Sequence, residues 1–198
     1  MEGAQDGRIA GVPQVGGDEL TDSCGDPASP LRAQWGYRLL AEAAARLLEG
    51  GEVAPLVQVL LERFARHLDC DVTTHFEVDG DALRLMAATG LDEALLKAME
   101  RLPLGRQLCG VAAQLGTFLY LTEDELELHP QATALCSRGV RVYACTPLRY
   151  AGSTLGTLAF ASRRRASFGA DELELLRKLG QYVSAAMGRV RSERALRQ

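Results

Sequence analysis

The sequence predicts an α+β fold in which helices cover one face of an antiparallel β-sheet and a ligand pocket lies on the other. Two observations carry this prediction. Apolar residues recur at helical spacing near both ends of the chain, and alternating apolar runs separated by short turns fill the middle. The segment order, α-α-β-β-α…β-α-β-β-α, suits a sheet with N- and C-terminal helices on one face and lid helices on the other.

The first fifty residues divide into two parts. Residues 1–30 are rich in glycine, proline and polar side chains, which predicts a disordered leader. Residues 31–50 are rich in alanine, leucine and arginine and run up to a pair of glycines, which predicts an N-terminal helix. The positions expected to be buried in that helix are Trp35, Leu39 and Leu47.

Residues 51–168 form the predicted core of the domain, which begins with a helix and a hairpin. Residues 53–68 place apolar side chains along one helical stripe. Two alternating runs, 71–78 and 82–89, flank an Asp-Gly-Asp turn, which is typical of a hairpin. A helix near 93–100, the segment GRQLCGVAAQLG and the isolated strand FLYL follow. We expect the region from about 100 to 138 to cover a pocket.

A second hairpin is predicted at residues 140–162, VRVYACTPLRYAGSTLGTLAFAS. Side chains of a strand alternate between its two faces, so Val142, Ala144 and Leu148 share one face, which suits a core. The opposite face of both strands suits a pocket, and the small residues of the second strand leave volume there. The residues expected to bind a ligand are Arg141, Tyr143, Cys145, Thr157, Ala159 and Ala161.

The C-terminal helix is predicted at residues 169–198, with Glu172 closing its first turn. Leu176, Val183 and Val190 recur every seven residues, which is the spacing of a coiled coil. Two interpretations stay open: a helix that packs on the sheet, and a dimerisation or signalling helix in a homodimer.

Composition limits the partners. The 198 residues include 22 basic and 26 acidic side chains, and a net charge of −4 gives no surface for nucleic acid. No apolar run approaches the ~20 residues of a membrane span, and the N-terminus lacks a signal-peptide pattern, so we expect a cytoplasmic protein without a membrane partner. Five cysteines without a CxxC pair predict free thiols and no metal site.

The phrase PL…G…LGTLAF, followed by Phe168-Gly-Ala-Asp171-Glu172 and a long helix, resembles the end of a GAF domain. The resemblance covers roughly residues 53–191. GAF domains are small-ligand sensor modules of bacterial signalling proteins. The resemblance therefore implies a regulatory domain, not an enzyme, that acts in two-component signalling with an output module or a partner such as a histidine kinase. It identifies neither the ligand nor a cofactor.

Two cysteines point to an alternative. The segment LCGVAA around Cys109, and the position of Cys136 eleven residues before a proline, are similar to the free methionine sulfoxide reductases, a GAF family. Where that family carries carboxylates, this chain has Tyr143, Ala159 and Ala161. The alternative is a cysteine-based redox sensor, or a reductase-like enzyme, that uses Cys109 and Cys136. A helix N-terminus at Cys109, close to an arginine, would favour its thiolate.

The sequence carries parts of the motifs by which other GAF domains bind their ligands. Bilin-binding relatives carry a cysteine or histidine before the PL strand, where this chain has His129 and Cys136, but it lacks their Cys-His pair. Cyclic-nucleotide-binding relatives carry an Asn-Lys pair where this chain has Ser162 and Arg163. A histidine such as His75 or His129 could bind haem iron if it faced an apolar pocket.

Overall fold

A computed structural model of the chain describes residues 30–50 and 52–197. Apart from Pro30, the predicted leader lies outside these residues. Thirteen elements are found in the described part of the chain, and the segment order confirms the predicted α+β class. In chain order they are α1 (Pro30–Glu49), α2 (Val53–Leu68), β1 (Val72–Asp79), β2 (Ala82–Thr89), α3 (Glu93–Met99), β3 (Arg101–Pro103), α4 (Gln107–Leu115), β4 (Leu119–Leu121), α5 (Glu123–Leu128), α6 (Thr133–Cys136), β5 (Val142–Tyr150), β6 (Ser153–Ser162) and α7 (Ala170–Leu196).

The six strands form one antiparallel sheet in the order β3-β2-β1-β6-β5-β4. The two predicted hairpins, β1–β2 and β5–β6, meet at the centre of the sheet, where β1 pairs with β6. Gly156 of β6 permits this central pairing, because an added Cβ would collide with the main-chain oxygen of Phe76. The sheet therefore has a continuous floor from β2 to β5.

Helices α1, α2 and α7 cover one face of the sheet, as predicted. Leu61 and Phe64 of α2 and Leu179 of α7 are fully buried against Leu158 and Phe160 of β6. These aromatic and aliphatic side chains form the larger of two hydrophobic cores, and each contributes roughly 2–3 kcal/mol by leaving water.

The prediction that Trp35 is buried is wrong, whereas Leu39 and Leu47 are buried as expected. Trp35 is 58% exposed. The neighbouring Gly36 faces the domain instead and lies against His67 of α2 and Leu175 of α7. Because successive residues of a helix point about 100° apart, this close approach at Gly36 leaves the indole at position 35 in solvent.

Two of the three residues of the seven-residue repeat of α7 pack inside the domain. Leu176 and Val183 are buried, as are Leu179 and Ala186 between them, whereas Val190 is half-buried and borders a surface groove. The described structure therefore uses these positions for intramolecular packing, which is the first of the two interpretations given above.

Two glycines bring α7 unusually close to β5. An added Cβ at Gly180 would lie 2.5 Å from the hydroxyl of Thr146, and one at Gly188 would collide with the ring of Tyr150. Ser184 lies between them and donates a hydrogen bond to the Gly180 carbonyl oxygen at 2.6 Å. We call these three residues the small-residue stripe of α7.

A second core lies on the opposite face of the sheet. Helices α3, α4, α5 and α6 cover that face, which confirms the predicted division between packing helices and lid helices. Strand β3 was not predicted, and the one helix predicted between β4 and β5 is two short helices, α5 and α6. The segment of β3 has only three residues, too few for a recognisable alternation. Helix α5 is EDELEL, an acidic helix whose start is fixed by a capping box between Thr122 and Glu125.

Candidate functional site

A narrow cavity lies between the sheet and the lid helices. It has a volume of about 60 Å³, which is room for only a few water molecules. Ligand pockets for drug-sized molecules are several times larger. The lid is therefore nearly closed on the sheet in this structure.

The sheet supplies the floor of the cavity. Val72 and Thr74 of β1 pair with Ala161 and Ala159 of β6, and Tyr143 of β5 pairs with Ala161 on the other side. Methyl side chains at 159 and 161 therefore lie between the larger side chains of the two neighbouring strands. This arrangement places the deepest part of the floor over β6, where the sequence predicted small residues.

The lid helices and the loops next to them supply the apolar walls. The wall residues are Leu91, Leu95, Met99, Leu108, Cys109, Ala134, Leu135 and Val140. Helix α4 sits close to the sheet because Gly110 faces the chain at β3: an added Cβ there would lie 2.8 Å from the Pro103 oxygen. Gly110 thereby fixes where the preceding residue, Cys109, enters the cavity wall.

Cys109 is the reactive side chain of this wall. Its sulfur lies 3.1 Å from the Tyr143 hydroxyl and 3.8 Å from the Thr74 hydroxyl. The thiol of Cys145 also lies within hydrogen-bonding reach of the same sulfur. Two thiols, a phenol and a hydroxyl thus meet at one buried point between α4 and the sheet.

The contacts around Cys109 favour its thiolate. The pKa of Cys109 is lowered from its ordinary value, mainly by hydrogen bonding from Cys145 and further by hydrogen bonds with Tyr143 and Thr74. Burial acts in the opposite direction but does not cancel this effect. Cys109 is also the third residue of α4, where the helix dipole stabilises a negative charge. Burial raises the pKa of Cys145, so Cys109 is the thiol of this pair that ionises first.

The six predicted ligand-binding residues do not all line the cavity. Tyr143, Ala159 and Ala161 do. Cys145 and Thr157 face the same side of the sheet but are fully buried beneath the lid. Arg141 lies just before β5 and its guanidinium pairs with Glu123 at 2.9 Å on the surface, so it is directed away from the cavity.

Cys136 does not line the cavity at which Cys109 lies. It is half-buried at the end of α6 and borders a shallow surface depression together with Glu123 and Arg141. In the described structure, the thiol neighbour of Cys109 is Cys145, a residue that we expected on the pocket face but did not link to Cys109. The alternation of β5 predicts the face on which Cys145 lies. It does not predict that α4 places Cys109 above that position.

The two histidines proposed for haem lie outside the cavity lining. His75 is fully buried, but it points from β1 into the helix-covered core, beside Leu158 and Ala87. His129 follows α5, and its Nδ1 accepts a hydrogen bond from the main-chain N–H of Gln131. Within residues 30–50 and 52–197, no cluster of three or more His, Cys, Asp or Glu side chains has a geometry that could hold a metal ion. None of the described helices is both long and apolar enough to span a bilayer.

The GAF domain family matches residues 52–187 of the chain, which is most of its length. The chain belongs to the GAF domain family. This GAF domain keeps the sheet, the helical layer and the lid predicted from the sequence resemblance. No functionally curated protein matches the chain by sequence.

Solved structures similar to this GAF domain include a first group described as GAF domains or as a GAF sensor protein. The GAF domain of a phosphoenolpyruvate-protein phosphotransferase from Coxiella burnetii is 20% identical, with a TM-score of 0.70, and the match covers 82% of this chain and 98% of that one. A putative GAF sensor protein from Burkholderia vietnamiensis is 18% identical, with a TM-score of 0.67, covering 80% and 98%.

The second group consists of enzymes. The free methionine-R-sulfoxide reductase from Neisseria meningitidis, solved with its substrate, is 20% identical, with a TM-score of 0.70. The match covers 88% of this chain and 98% of that one. At this level of identity, both groups establish the shared fold, and the choice between sensing and catalysis rests on the residues of the site.

Proposed function

We propose that this GAF domain is a cytoplasmic sensor that binds a small molecule in the cavity above β6. The observation that carries the proposal is the cavity itself, with its floor of alanines and its walls of lid-helix side chains. Its small volume is consistent with a lid that opens further when ligand enters. Binding would then shift the domain toward the more open packing.

Strand β5 connects this cavity to the helical face. Tyr143 faces the cavity, whereas Thr146 and Leu148 face α7 from the same strand. The small-residue stripe leaves no intervening side chain between α7 and Thr146. A displacement of β5 by a ligand would therefore be transmitted to α7, which we propose leads to an output module or to a partner such as a histidine kinase in a two-component system.

We also propose that the domain is a homodimer through the outer surface of α1 and α7. Large apolar side chains are exposed there: Trp35, Tyr37, Leu48 and Tyr182. Leu48 and Tyr182 border one groove, together with small side chains of both helices. A second copy of the chain would remove this apolar surface from water.

Native mass spectrometry of protein purified from a bacterial host tests the sensor and the dimer together. We expect the native mass to correspond to two chains plus a small mass that is lost on denaturation. A native mass equal to the sum of the bare chains, together with no change in melting temperature across a library of small metabolites, would contradict the sensor. A single-chain mass at micromolar concentration would contradict the dimer.

A second candidate function, cysteine-based redox sensing, is favoured by the contact between Cys109 and Cys145. Oxidation by a hydroperoxide would convert the Cys109 thiolate to a sulfenic acid and release the corresponding alcohol or water. The Cys145 thiol would then attack that sulfur, forming a disulfide and releasing water. Two thiols lose two electrons and two protons in all, and a dithiol reverses the step.

Mass spectrometry after peroxide treatment tests this candidate. We expect the protein to lose the mass of two hydrogen atoms, with the disulfide mapped to Cys109 and Cys145 and restored to thiols by reductant. The Cys145→Ser variant should stop at a sulfenic acid that a dimedone probe traps, and the Cys136→Ser variant should behave as wild type. A disulfide that requires Cys136 would restore the pairing suggested by the reductase resemblance.

The reductase interpretation lacks a partner for its substrate's ammonium group. In the described structure, no aspartate or glutamate lines the cavity, and Tyr143, Ala159 and Ala161 occupy the positions where the resemblance places carboxylates. An unpaired buried ammonium costs several kcal/mol. Consumption of methionine sulfoxide by the purified protein with a dithiol would overturn our preference for a non-catalytic role.

A further inference from the structure

Two arginines at the cavity have no acidic partner. Arg138 and Arg163 both border the cavity, and both are exposed, so they lie where the cavity meets solvent. Within the described residues, neither guanidinium has a carboxylate within ion-pair distance, whereas three other arginines of the same region do. Those three are Arg141, Arg164 and Arg165.

Backbone contacts anchor both guanidinium groups. Arg163 donates a hydrogen bond from Nε to the carbonyl oxygen of Arg138 at 3.1 Å. Arg138 donates from a terminal nitrogen to the Ala134 oxygen at 3.0 Å. Each guanidinium has five N–H donors, so most of them stay available to a ligand.

The nearest acidic group is already neutralised. Asp71 accepts a hydrogen bond from the main-chain nitrogen of Arg163 at 2.7 Å. Its other oxygen pairs with the guanidinium of Arg164 at 2.6 Å. The charge of Arg163 is therefore left for a ligand rather than compensated by Asp71.

The side chain of Gln131 supplies further donors at the cavity. The side-chain oxygen of Gln131 accepts a hydrogen bond from the main-chain nitrogen of Gln107 at 2.9 Å. That contact leaves the Gln131 amide N–H groups to face a ligand. The other wall residues are apolar, apart from Gln107 and the buried cluster at Cys109.

We propose that the cavity binds a small organic carboxylate with a short apolar body. Its carboxylate would lie between Arg138 and Arg163, because guanidinium donors match two carboxylate oxygens. Its hydrocarbon part would occupy the floor above Ala159 and Ala161. The proposal rests on the proposed sensor function and deepens it by naming the ligand class. The cavity volume limits the ligand to a few carbon atoms unless the lid opens.

The test uses three probes of nearly equal shape: pentanoate, pentanamide and pentylamine. Isothermal titration and melting temperature are measured with the intact protein at constant ionic strength. Pentanoate is expected to bind and to raise the melting temperature. Pentanamide lacks the charge and should bind at least tenfold more weakly, and pentylamine should bind more weakly than pentanoate because both arginines repel its ammonium group.

Three variants locate the anion site. Arg138→Gln and Arg163→Gln should each weaken pentanoate binding about tenfold, which is the lower end for a charged hydrogen bond because both groups are exposed. Arg66→Gln, an exposed arginine on α2, is the matched control and should bind as wild type. All three variants should melt at the wild-type temperature without ligand, since none removes an ion pair of the described structure.

The outcomes separate this inference from the function on which it rests. If pentanamide binds as tightly as pentanoate, or the two arginine variants bind as wild type, the charge selection is wrong and the sensor proposal stands. If no probe binds while the native mass shows a carried molecule without a carboxylate, the ligand class is again wrong. If no probe binds and no molecule is carried, the sensor proposal fails as well.

Discussion

Replacing Glu172 with alanine is expected to lower the free energy of unfolding by about 3 kcal/mol. Glu172 accepts two hydrogen bonds from the guanidinium of Arg165, at 2.8 and 2.6 Å, and one from the main-chain nitrogen of Gly169. Only 9% of its side chain is exposed. Arg165 also donates to the Leu68 oxygen, so one carboxylate ties the start of α7 to the end of α2.

The magnitude follows from what the substitution leaves behind. Without Glu172, the Arg165 guanidinium loses its carboxylate partner and keeps only part of its hydrogen bonds. The Arg165 side chain is 21% exposed, so water replaces the lost partner only in part. The helix also loses the side chain that caps its first turn, which contributes about 1 kcal/mol. The value lies toward the low end for a buried ion pair because Arg165 regains some water.

Glu174→Ala is the matched control. Glu174 is on the same helix and forms an exposed pair with Lys178 at 3.7 Å, so its loss should change stability by less than about 0.5 kcal/mol. Urea unfolding followed by circular dichroism measures both variants. Equal midpoints for the two variants would show that the Arg165 pair contributes nothing beyond a surface contact.

Acidification is expected to destabilise the domain by about 3 kcal/mol through His75 alone. Within the described residues, neither ring nitrogen of this fully buried histidine has a hydrogen-bond partner. Burial lowers its pKa from 6.5 to about 4. The unfolded chain therefore binds a proton near pH 6.5, whereas the folded chain stays neutral until about pH 4.

This difference fixes the direction and the range of the effect. Above pH 6.5 the histidine is neutral in both states and the full stability is present. As the pH falls from 6.5 to about 4, the unfolded state binds more protons than the folded state, and stability is lost progressively. Below pH 4 the contribution of His75 becomes constant.

A His75→Leu variant separates this contribution from that of the carboxylates. It keeps an apolar side chain of similar size and removes two unsatisfied nitrogens, so its stability at pH 7 should equal or exceed that of wild type. Its unfolding free energy should change little between pH 6.5 and 5, where most carboxylates stay ionised. Parallel curves for wild type and variant over that range would contradict the role of His75.

Local patterns in the sequence were sufficient for most of the fold. The alternation in the two hairpins and the apolar stripe at 53–68 predict which face of each element is buried. Such a prediction needs only the spacing of apolar residues along the chain. Trp35 fails this rule because the helix turns its smallest residue, Gly36, toward its neighbours. Strand β3 was missed because three residues carry too little periodicity.

The site was predictable only in part. The alternation of β5 and β6 placed Tyr143, Ala159 and Ala161 on the face that lines the cavity. The contact between Cys109 and Cys145 depends instead on how α4 lies across the sheet, which residues far apart in sequence decide. The sequence likewise does not show that Arg138 and Arg163 lack a carboxylate partner, because the partners of the nearby carboxylates depend on the fold.

The small-residue stripe couples the position of α7 directly to that of β5. Where Gly180 rests on β5, no flexible side chain is present to absorb a movement by changing rotamer, so a movement of the strand moves the helix. Gly188 makes the last of these contacts, against Tyr150, and the helix continues to Leu196, roughly 12 Å further at 1.5 Å per residue. A tilt of roughly 5° about Gly188 would displace the far end by about 1 Å. A small displacement of β5 would thus reach the end of α7 undiminished.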